Sequence, residues 1–150
     1  MPTPQVDFDR SLLGKPLPAG TFPVTAEGIL AFCRAVGETN PLSTDEAYAR
    51  RQGLPGLLAP PTYPNLFIRH LGRPDVLAVP LRQRMHAGQA VEPLRPIYAG
   101  DTLTATTRLK DVYTKTGRTG SMVFIVWETT FTNQRGEEVA RVRESFMARL

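Results

Sequence analysis

Three long segments rich in β-forming residues occupy the second half of the chain, and they constrain the fold more than any other feature. The segments are TLTATTRLKDVY, SMVFIVWETTFTN and EEVARVRESFMARL. Their β-branched and aromatic side chains favour strands, and the odd-numbered residues from Leu103 to Leu109 fall on one strand face. The joining sequences KTGRTG and NQRGE both contain glycine, which tight hairpin turns favour. The pattern predicts an antiparallel meander.

The first half of the chain has helical periodicity. Thr25 is suited to cap a helix that Gly37 ends, with Glu27 in the first turn, where a negative charge is favourable. One face of this helix is apolar and consists of Ile29, Leu30, Phe32, Cys33 and Val36. Because this helix is the most apolar in the sequence, we expect it to be buried against the sheet.

The other predicted elements are short. We expect Thr44 to cap a second helix that stops at Gly53, and another short helix to follow Pro60 and Pro61. The sequences TFPV and RMHAGQAVEPLRPIYAGD are each expected to contribute a strand. The first 20 residues hold four of the 14 prolines and are expected to form an extended arm.

The order of elements indicates the fold class. Helices followed by a meander, without an internal repeat, predict an α+β fold in which one buried helix is wrapped by a curved antiparallel sheet. A chain of 150 residues has the size of one domain, spanning residues 1–150. The last strands leave edges that a second copy would cover, so we expect a dimer.

The composition narrows the classes of function. With 41% apolar and 21% charged residues, and without an apolar run long enough to span a bilayer or form a signal peptide, the chain is expected to be cytoplasmic. The net charge of +4 comes mainly from scattered arginines and favours an anionic ligand. No basic motif predicts a nucleic-acid partner. Cys33 is the single cysteine, and no Cys or His spacing predicts a metal site.

The stretch GETNPLS, residues 37–43, connects the apolar helix to the next one. Asn40 before Pro41 is a common turn element, and Thr44 with Asp45 begins a helix in the ordinary way. From these residues alone, the stretch is an ordinary connection. Its polar side chains would equally line a pocket.

Two stretches resemble the MaoC-like hydratases and dehydratases of the hot dog fold, in particular their FAS1-like dehydratase type. They are FCRAVGETNPLSTDEAYARRQGLPGLLAPPTY and RMHAGQAVEPLRPIYAGDTLTATTRLKDVYTKTGRTGSMVFIVWETTF. The resemblance implies a hot dog fold and the syn hydration of an enoyl thioester carried by coenzyme A or an acyl carrier protein, with no other cofactor. In such enzymes a base acts on water, an acid protonates the α-carbon, and backbone N–H groups stabilise the enolate.

The catalytic turn of this family carries an Asp and, after four further residues, a His. The resemblance puts Glu38 at the Asp position and Ser43 at the His position, while Asn40 and Pro41 match the Asn-Pro pair and Asp45 matches the following Asp. Serine lacks the imidazole that titrates near neutrality. The resemblance therefore implies a hydratase-type turn whose catalytic pair is degenerate.

Candidate residues also lie outside the turn. His86 is expected on a strand beside the turn, either as a catalytic group or as a hydrogen-bonded strand residue. Thr62 and Tyr63, in APPTY, match the family segment in which a helix start approaches the thioester. Lys115 and Arg118 are candidate contacts for coenzyme A phosphates, or else solvated surface residues.

Three functions are compatible with this sequence. The favoured one is a subunit of an (R)-specific enoyl-thioester hydratase or 3-hydroxyacyl-thioester dehydratase, degenerate in its own turn and paired with a catalytic hot dog subunit. The second is a homodimeric hydratase that uses Glu38, with His86 as a candidate second group. The third is a non-enzymatic module that binds acyl-CoA or an acyl carrier.

Overall fold

The structure is a computed structural model that describes residues 6–77 and 84–150. It contains one antiparallel sheet of five strands in the order β1-β3-β4-β5-β2. The strands are β1 Leu17–Pro23, β2 Met85–Pro93, β3 Thr102–Gly117, β4 Gly120–Thr132 and β5 Glu138–Arg149. The helices are α1 Ala26–Val36, α2 Pro41–Thr44, α3 Glu46–Arg51 and α4 Asn65–Ile68, preceded by a 3-10 turn at Arg10–Leu12.

The predicted meander is confirmed. Strand β4 pairs with β3 on one side and with β5 on the other, along nearly its whole length. On β3, the odd-numbered residues from Leu103 to Leu109 are buried, while the residues between them are exposed or half-buried. The turn between β4 and β5 contains Gly136, whose φ of 79° lies in the left-handed region that favours glycine.

Helix α1 covers part of the inner face of the sheet, as predicted. Thr25 caps it by accepting a hydrogen bond from the Gly28 N–H at 3.0 Å. Ile29 and Cys33 then pack in one apolar cluster with residues of β3, β4 and β5, among them Leu103 and Phe131. The helix has 11 residues and is therefore about 16 Å long. It shields one half of the inner face.

The other half of the inner face is covered by irregular chain. Trp127 and Ile125 of β4 pack there in a second cluster with Val76 and Leu77, and Phe8 from the N-terminal segment lies against them. The inner face therefore carries two apolar clusters, of which only the first is covered by α1.

Three predicted details need correction. Val36 is predicted on the buried face of α1 but is 56% exposed. It is the last residue of the helix, and the buried part of the helix already ends at Cys33. The helix expected after Thr44 is present as α3, but a further short helix, α2, precedes it and was not predicted, since Asn40 caps α2 and Asp45 caps α3. Thr44 is the last residue of α2 rather than a cap, because proline at position 41 favours an earlier start and Asp is the stronger cap.

The N-terminal arm differs from the expected form in its second half. Its first five residues lie outside the described part of the chain. Arg10–Leu12 forms a 3-10 turn, and Leu17 to Gly20 already belong to β1. Prolines are tolerated in β1 because it is an edge strand with one unpaired side. Within residues 6–77 and 84–150, no helix is long and apolar enough to cross a membrane.

Two alanine substitutions in α1 test whether its packing on the sheet stabilises the domain. Ile29 is fully buried, so Ile29→Ala should lower the free energy of unfolding by about 2–5 kcal/mol. Val36→Ala, on the same helix, should change it by less than about 0.5 kcal/mol, because Val36 is mostly exposed. Urea denaturation followed by circular dichroism measures both, and equal effects would contradict this arrangement.

Candidate active-site turn

The turn begins where α1 ends, at Gly37. This glycine has a φ of 74°, and its N–H donates to the Cys33 carbonyl, as does the Glu38 N–H at 2.9 Å. Such an ending satisfies carbonyl groups that the helix leaves unpaired and favours glycine. The direction in which the chain leaves α1 is therefore set by the backbone.

The Glu38 carboxylate is bound to the turn itself. Its Oε1 accepts a hydrogen bond from the Asn40 N–H at 2.9 Å. Asn40 in turn caps α2, because its Oδ1 accepts from the Leu42 N–H at 3.1 Å. Pro41 follows as the first residue of α2, where its missing N–H is not needed. The side chains of Glu38 and Asn40 thus have clear structural roles.

Ser43 is buried beneath the turn, with 2% of its surface exposed. Its N–H donates to the Asn40 carbonyl at 2.9 Å, and its own carbonyl accepts from the Cys33 thiol at 3.8 Å. Burial raises the pKa of the Cys33 thiol, and the nearby Glu38 carboxylate raises it further, so the thiol remains a protonated donor. The hydrogen bond from Cys33, a core residue of α1, therefore connects the turn to that helix.

The APPTY segment lies next to the turn. Leu58 is the residue before this segment, and its N–H donates to the Leu42 carbonyl at 2.9 Å. This hydrogen bond connects the start of the segment to α2. The Tyr63 ring packs edge-to-face on Phe32 of α1, with centroids 5.6 Å apart. A Cβ atom at Gly28 would lie 2.5 Å from the Tyr63 hydroxyl oxygen, so glycine at that position permits the close approach. Helix α1 therefore contacts both the turn and the APPTY segment.

Thr62 and Tyr63 differ in what they offer a ligand. Tyr63 is buried, and its N–H already donates to the Pro60 carbonyl at 2.9 Å, so this N–H is engaged within the chain. Burial also raises the pKa of the Tyr63 hydroxyl, which therefore stays protonated at neutral pH. Thr62 is exposed, and its carbonyl accepts from the Asn65 N–H at the start of α4.

An apolar groove borders the same segment. Its volume is about 300 Å³, and Pro60 and Pro61 form one wall. Ile97, Val139 and Ala140 contribute to the rest of the lining. The groove provides an apolar surface beside the segment that resembles the thioester site of the hydratases.

His86 lies elsewhere, on the edge strand β2. Its ring packs edge-to-face on Phe146, and its Nε2 is 3.9 Å from Oε2 of Glu144. Within the described part of the chain, no hydrogen bond or ion pair joins His86 to Glu38 or Ser43. The structure therefore does not bring the two groups of the homodimer hypothesis together within one chain.

Glu144 and Arg73 form a buried ion pair that the sequence reasoning missed. The Arg73 Nη1 donates to Glu144 Oε1 at 2.6 Å, and the Glu144 side chain is 3% exposed. One signal was present in the sequence, since Glu144 shares its strand parity with the buried Val142. A carboxylate among inward-facing apolar residues requires a buried partner.

In residues 6–77 and 84–150, no three His, Cys, Asp or Glu side chains cluster as metal ligands.

Lys115 and Arg118 lie at the tip of the β3–β4 hairpin. The Lys115 Nζ is 5.6 Å from the centroids of both Tyr113 and Phe124, whose rings stack on each other. Arg118 is exposed in the connection between the two strands. This tip is at the opposite end of β3 from Leu103, which packs beneath α1. Both cations are therefore remote from the contacts that organise the turn.

The cap made by Asn40 can be tested by two substitutions. Asn40→Ala removes the acceptor for the Leu42 N–H and should lower the free energy of unfolding by about 1 kcal/mol. Asn40→Asp keeps an acceptor of similar size and should leave stability close to that of the natural chain. Thermal and urea denaturation measure both, and an Asn40→Ala variant as stable as Asn40→Asp would show that the cap contributes nothing.

Comparisons with known proteins identify the family and the fold. A sequence profile described as "FAS1-like, dehydratase domain region" matches residues 11–142. Over 144 residues the chain is 31% identical to a UPF0336 protein of Clavibacter michiganensis subsp. michiganensis. The match covers 92% of this chain and 93% of that protein.

Two solved structures are similar in fold. The chain superposes on a chain of the HadBC (3R-hydroxyacyl-ACP dehydratase) complex of Mycobacterium tuberculosis with a TM-score of 0.72. The two chains are 25% identical, and the match covers 91% of this chain and 97% of that chain. For the R-hydratase PhaJ1 of Pseudomonas aeruginosa the TM-score is 0.68 and the identity 20%, covering 91% of this chain and 81% of that chain. The fold is a hot dog fold, and the chain belongs to the family of the FAS1-like dehydratase domain region.

Proposed function

We propose that this chain is the non-catalytic subunit of an (R)-specific enoyl-thioester hydratase or 3-hydroxyacyl-thioester dehydratase. A second hot dog subunit would supply the Asp and His that move protons. One observation carries the proposal: the turn after α1 keeps a cap-and-helix backbone, while its two catalytic positions hold a carboxylate bound to the turn and a buried serine.

Hydration requires groups that this turn lacks. A general base must accept a proton from water, and an acid must deliver one to the α-carbon, each within hydrogen-bond reach. Ser43 has no imidazole, and Oε1 of Glu38 accepts the Asn40 N–H. The turn therefore offers only the other oxygen of one carboxylate in place of both the base and the acid that the reaction needs. The chemistry would therefore come from the partner subunit.

The residues of this chain would instead hold and shape the acyl group. The groove beside Pro60 and Pro61 offers apolar surface to an acyl chain. Exposed Thr62 lies next to it as a polar contact for the thioester end. In this division of roles, the chain binds substrate and stabilises its partner.

The edges of the sheet support the pairing. Strand β2 forms one edge, and its residues are exposed except for the half-buried Val91. An exposed edge presents unpaired backbone groups to another strand. HadBC, similar to this chain at 25% identity, is a complex. A second hot dog subunit, rather than a membrane or a nucleic acid, is the partner that we propose.

A hydration assay tests the proposal. The purified chain, alone and after mixing with a MaoC-like protein from the same genome that carries Asp and His in its turn, is given crotonyl-CoA. The loss of the enoyl absorbance is then followed. We expect the mixture to turn over at least about 100-fold faster than this chain alone, since acid–base groups contribute about 10²–10⁴-fold. The two proteins should co-elute in size-exclusion chromatography.

The alternatives predict different results. Turnover by this chain alone that is lost in Glu38→Gln would establish a self-sufficient homodimeric hydratase. Saturable binding of acyl-CoA without turnover in any pairing would establish a binding module. A partner that is fully active without this chain and does not co-elute with it would also refute the subunit role.

A further inference from the structure

A second cleft lies away from the hydratase-like turn. Its volume is about 380 Å³, within the range of small-molecule sites, and it opens between residues 71–76 and the strands β4 and β5. Trp127 and Phe146 provide aromatic walls, and His86 and Arg73 also line it. Neither the turn nor the APPTY segment contributes to its lining.

The Arg73–Glu144 ion pair forms the polar part of this cleft. The guanidinium carbon of Arg73 is 5.7 Å from the Trp127 ring centroid and 5.5 Å from that of Phe146, so both rings hold it in position. Arg73 is 16% exposed, whereas Glu144 behind it is 3% exposed. The pair is therefore fixed, and only its outer side faces the cleft.

Within residues 6–77 and 84–150, each member of the pair has unused hydrogen-bonding capacity. Among the described residues, Arg73 donates only through Nη1, which leaves the N–H groups of Nε and Nη2. Oε2 of Glu144 is 3.9 Å from Nε2 of His86, which is too long for a hydrogen bond. Donors and an acceptor are therefore available side by side at one place.

The charges around the cleft favour an uncharged ligand. Arg73 is neutralised by Glu144, and Arg84 at the rim is paired with Asp75 at 3.2 Å. An anion attracted to Arg73 would approach the Glu144 carboxylate, and a cation attracted to Glu144 would approach the guanidinium. A hydroxyl or amide group accepts and donates at once without net charge, and thus matches both members.

We propose that this cleft binds an uncharged amphipathic small molecule through a hydroxyl or amide group. That group accepts from Arg73 and donates to Oε2 of Glu144, while the apolar part of the molecule packs on Trp127 and Phe146. The proposal does not depend on the proposed hydratase role, because no residue of the turn takes part.

Trp127 makes the cleft directly observable. It is the only tryptophan of the chain, so the intrinsic fluorescence reports on this site. The full-length protein is titrated with four probes that share one six-carbon chain: hexan-1-ol, hexanamide, hexanoate and hexylammonium. We expect saturable fluorescence changes for the alcohol, the amide or both, at half-saturating concentrations at least about tenfold below those of the two ions. The comparison of alcohol with amide identifies which polar group is preferred.

A double variant separates recognition by the ion pair from apolar binding. Arg73→Met with Glu144→Leu replaces the whole pair by apolar side chains, a change that folded proteins often tolerate. It retains Trp127 and the aromatic walls, but the hydroxyl or amide group loses both of its partners, so the alcohol and the amide should bind at least about tenfold more weakly than to the natural chain. Arg84→Met, which changes only the exposed rim pair, should keep the affinity of the natural chain for both probes.

Three results would overturn the proposal. They are the absence of any saturable change in the natural chain, binding of hexanoate or hexylammonium as tight as that of the neutral probes, and binding of the alcohol and the amide that is as tight in the double variant as in the natural chain. Should that variant lack the circular dichroism spectrum of the natural chain, Arg73→Lys takes its place. Lysine keeps the charge but not the planar set of donors, so the affinity for the alcohol and the amide must fall there as well.

Discussion

Burial of the inner face of the meander is the constraint on which the rest of this structure depends. Strands β3, β4 and β5 each present alternate apolar residues to one side, and that side must be covered. Helix α1 covers one half by packing Ile29 and Cys33 on the sheet. Because Cys33 also contacts Ser43, the position of the turn follows from the packing of the core.

In the proposed role, this dependence would let the turn keep its shape without performing proton transfer. The turn is held by a glycine at the end of α1, by the Asn40 cap and by backbone hydrogen bonds, none of which requires an imidazole. Glu38 has the charge of the family's aspartate, yet its carboxylate stabilises the turn. A subunit with the proposed role would remain under this structural constraint while its partner performs the proton transfer.

The sequence predicts those parts of the structure that repeat a local rule. The alternation along β3 and the cap at Thr25 are both such rules, and both predictions are confirmed. Helix α2 and the cap of α3 were missed because Asn40, Thr44 and Asp45 are all acceptable caps, and only the three-dimensional context selects among them. The family resemblance predicts a catalytic turn at residues 37–43, and this stays a prediction, whereas the residues alone indicate an ordinary connection.

The contacts of the charged groups were beyond sequence reasoning, because they join residues far apart in the chain. Arg73 and Glu144 are 71 positions apart and meet only when the segment before residue 77 crosses β5. For the same reason, His86 was expected beside the turn but contacts Glu144 and Phe146. Apolar periodicity carries no information about which cation meets a buried carboxylate.

The most direct test of the central claim is the hydration rate of the complex of this chain with the proposed catalytic partner when the turn carries Glu38→Gln and Ser43→Ala together. If the turn has only a structural role, the turnover number of the complex should stay within about twofold of that of the natural pair, because no proton passes through either residue. A fall of about 100-fold or more, with assembly intact, would show that the turn takes part in catalysis and would contradict the account.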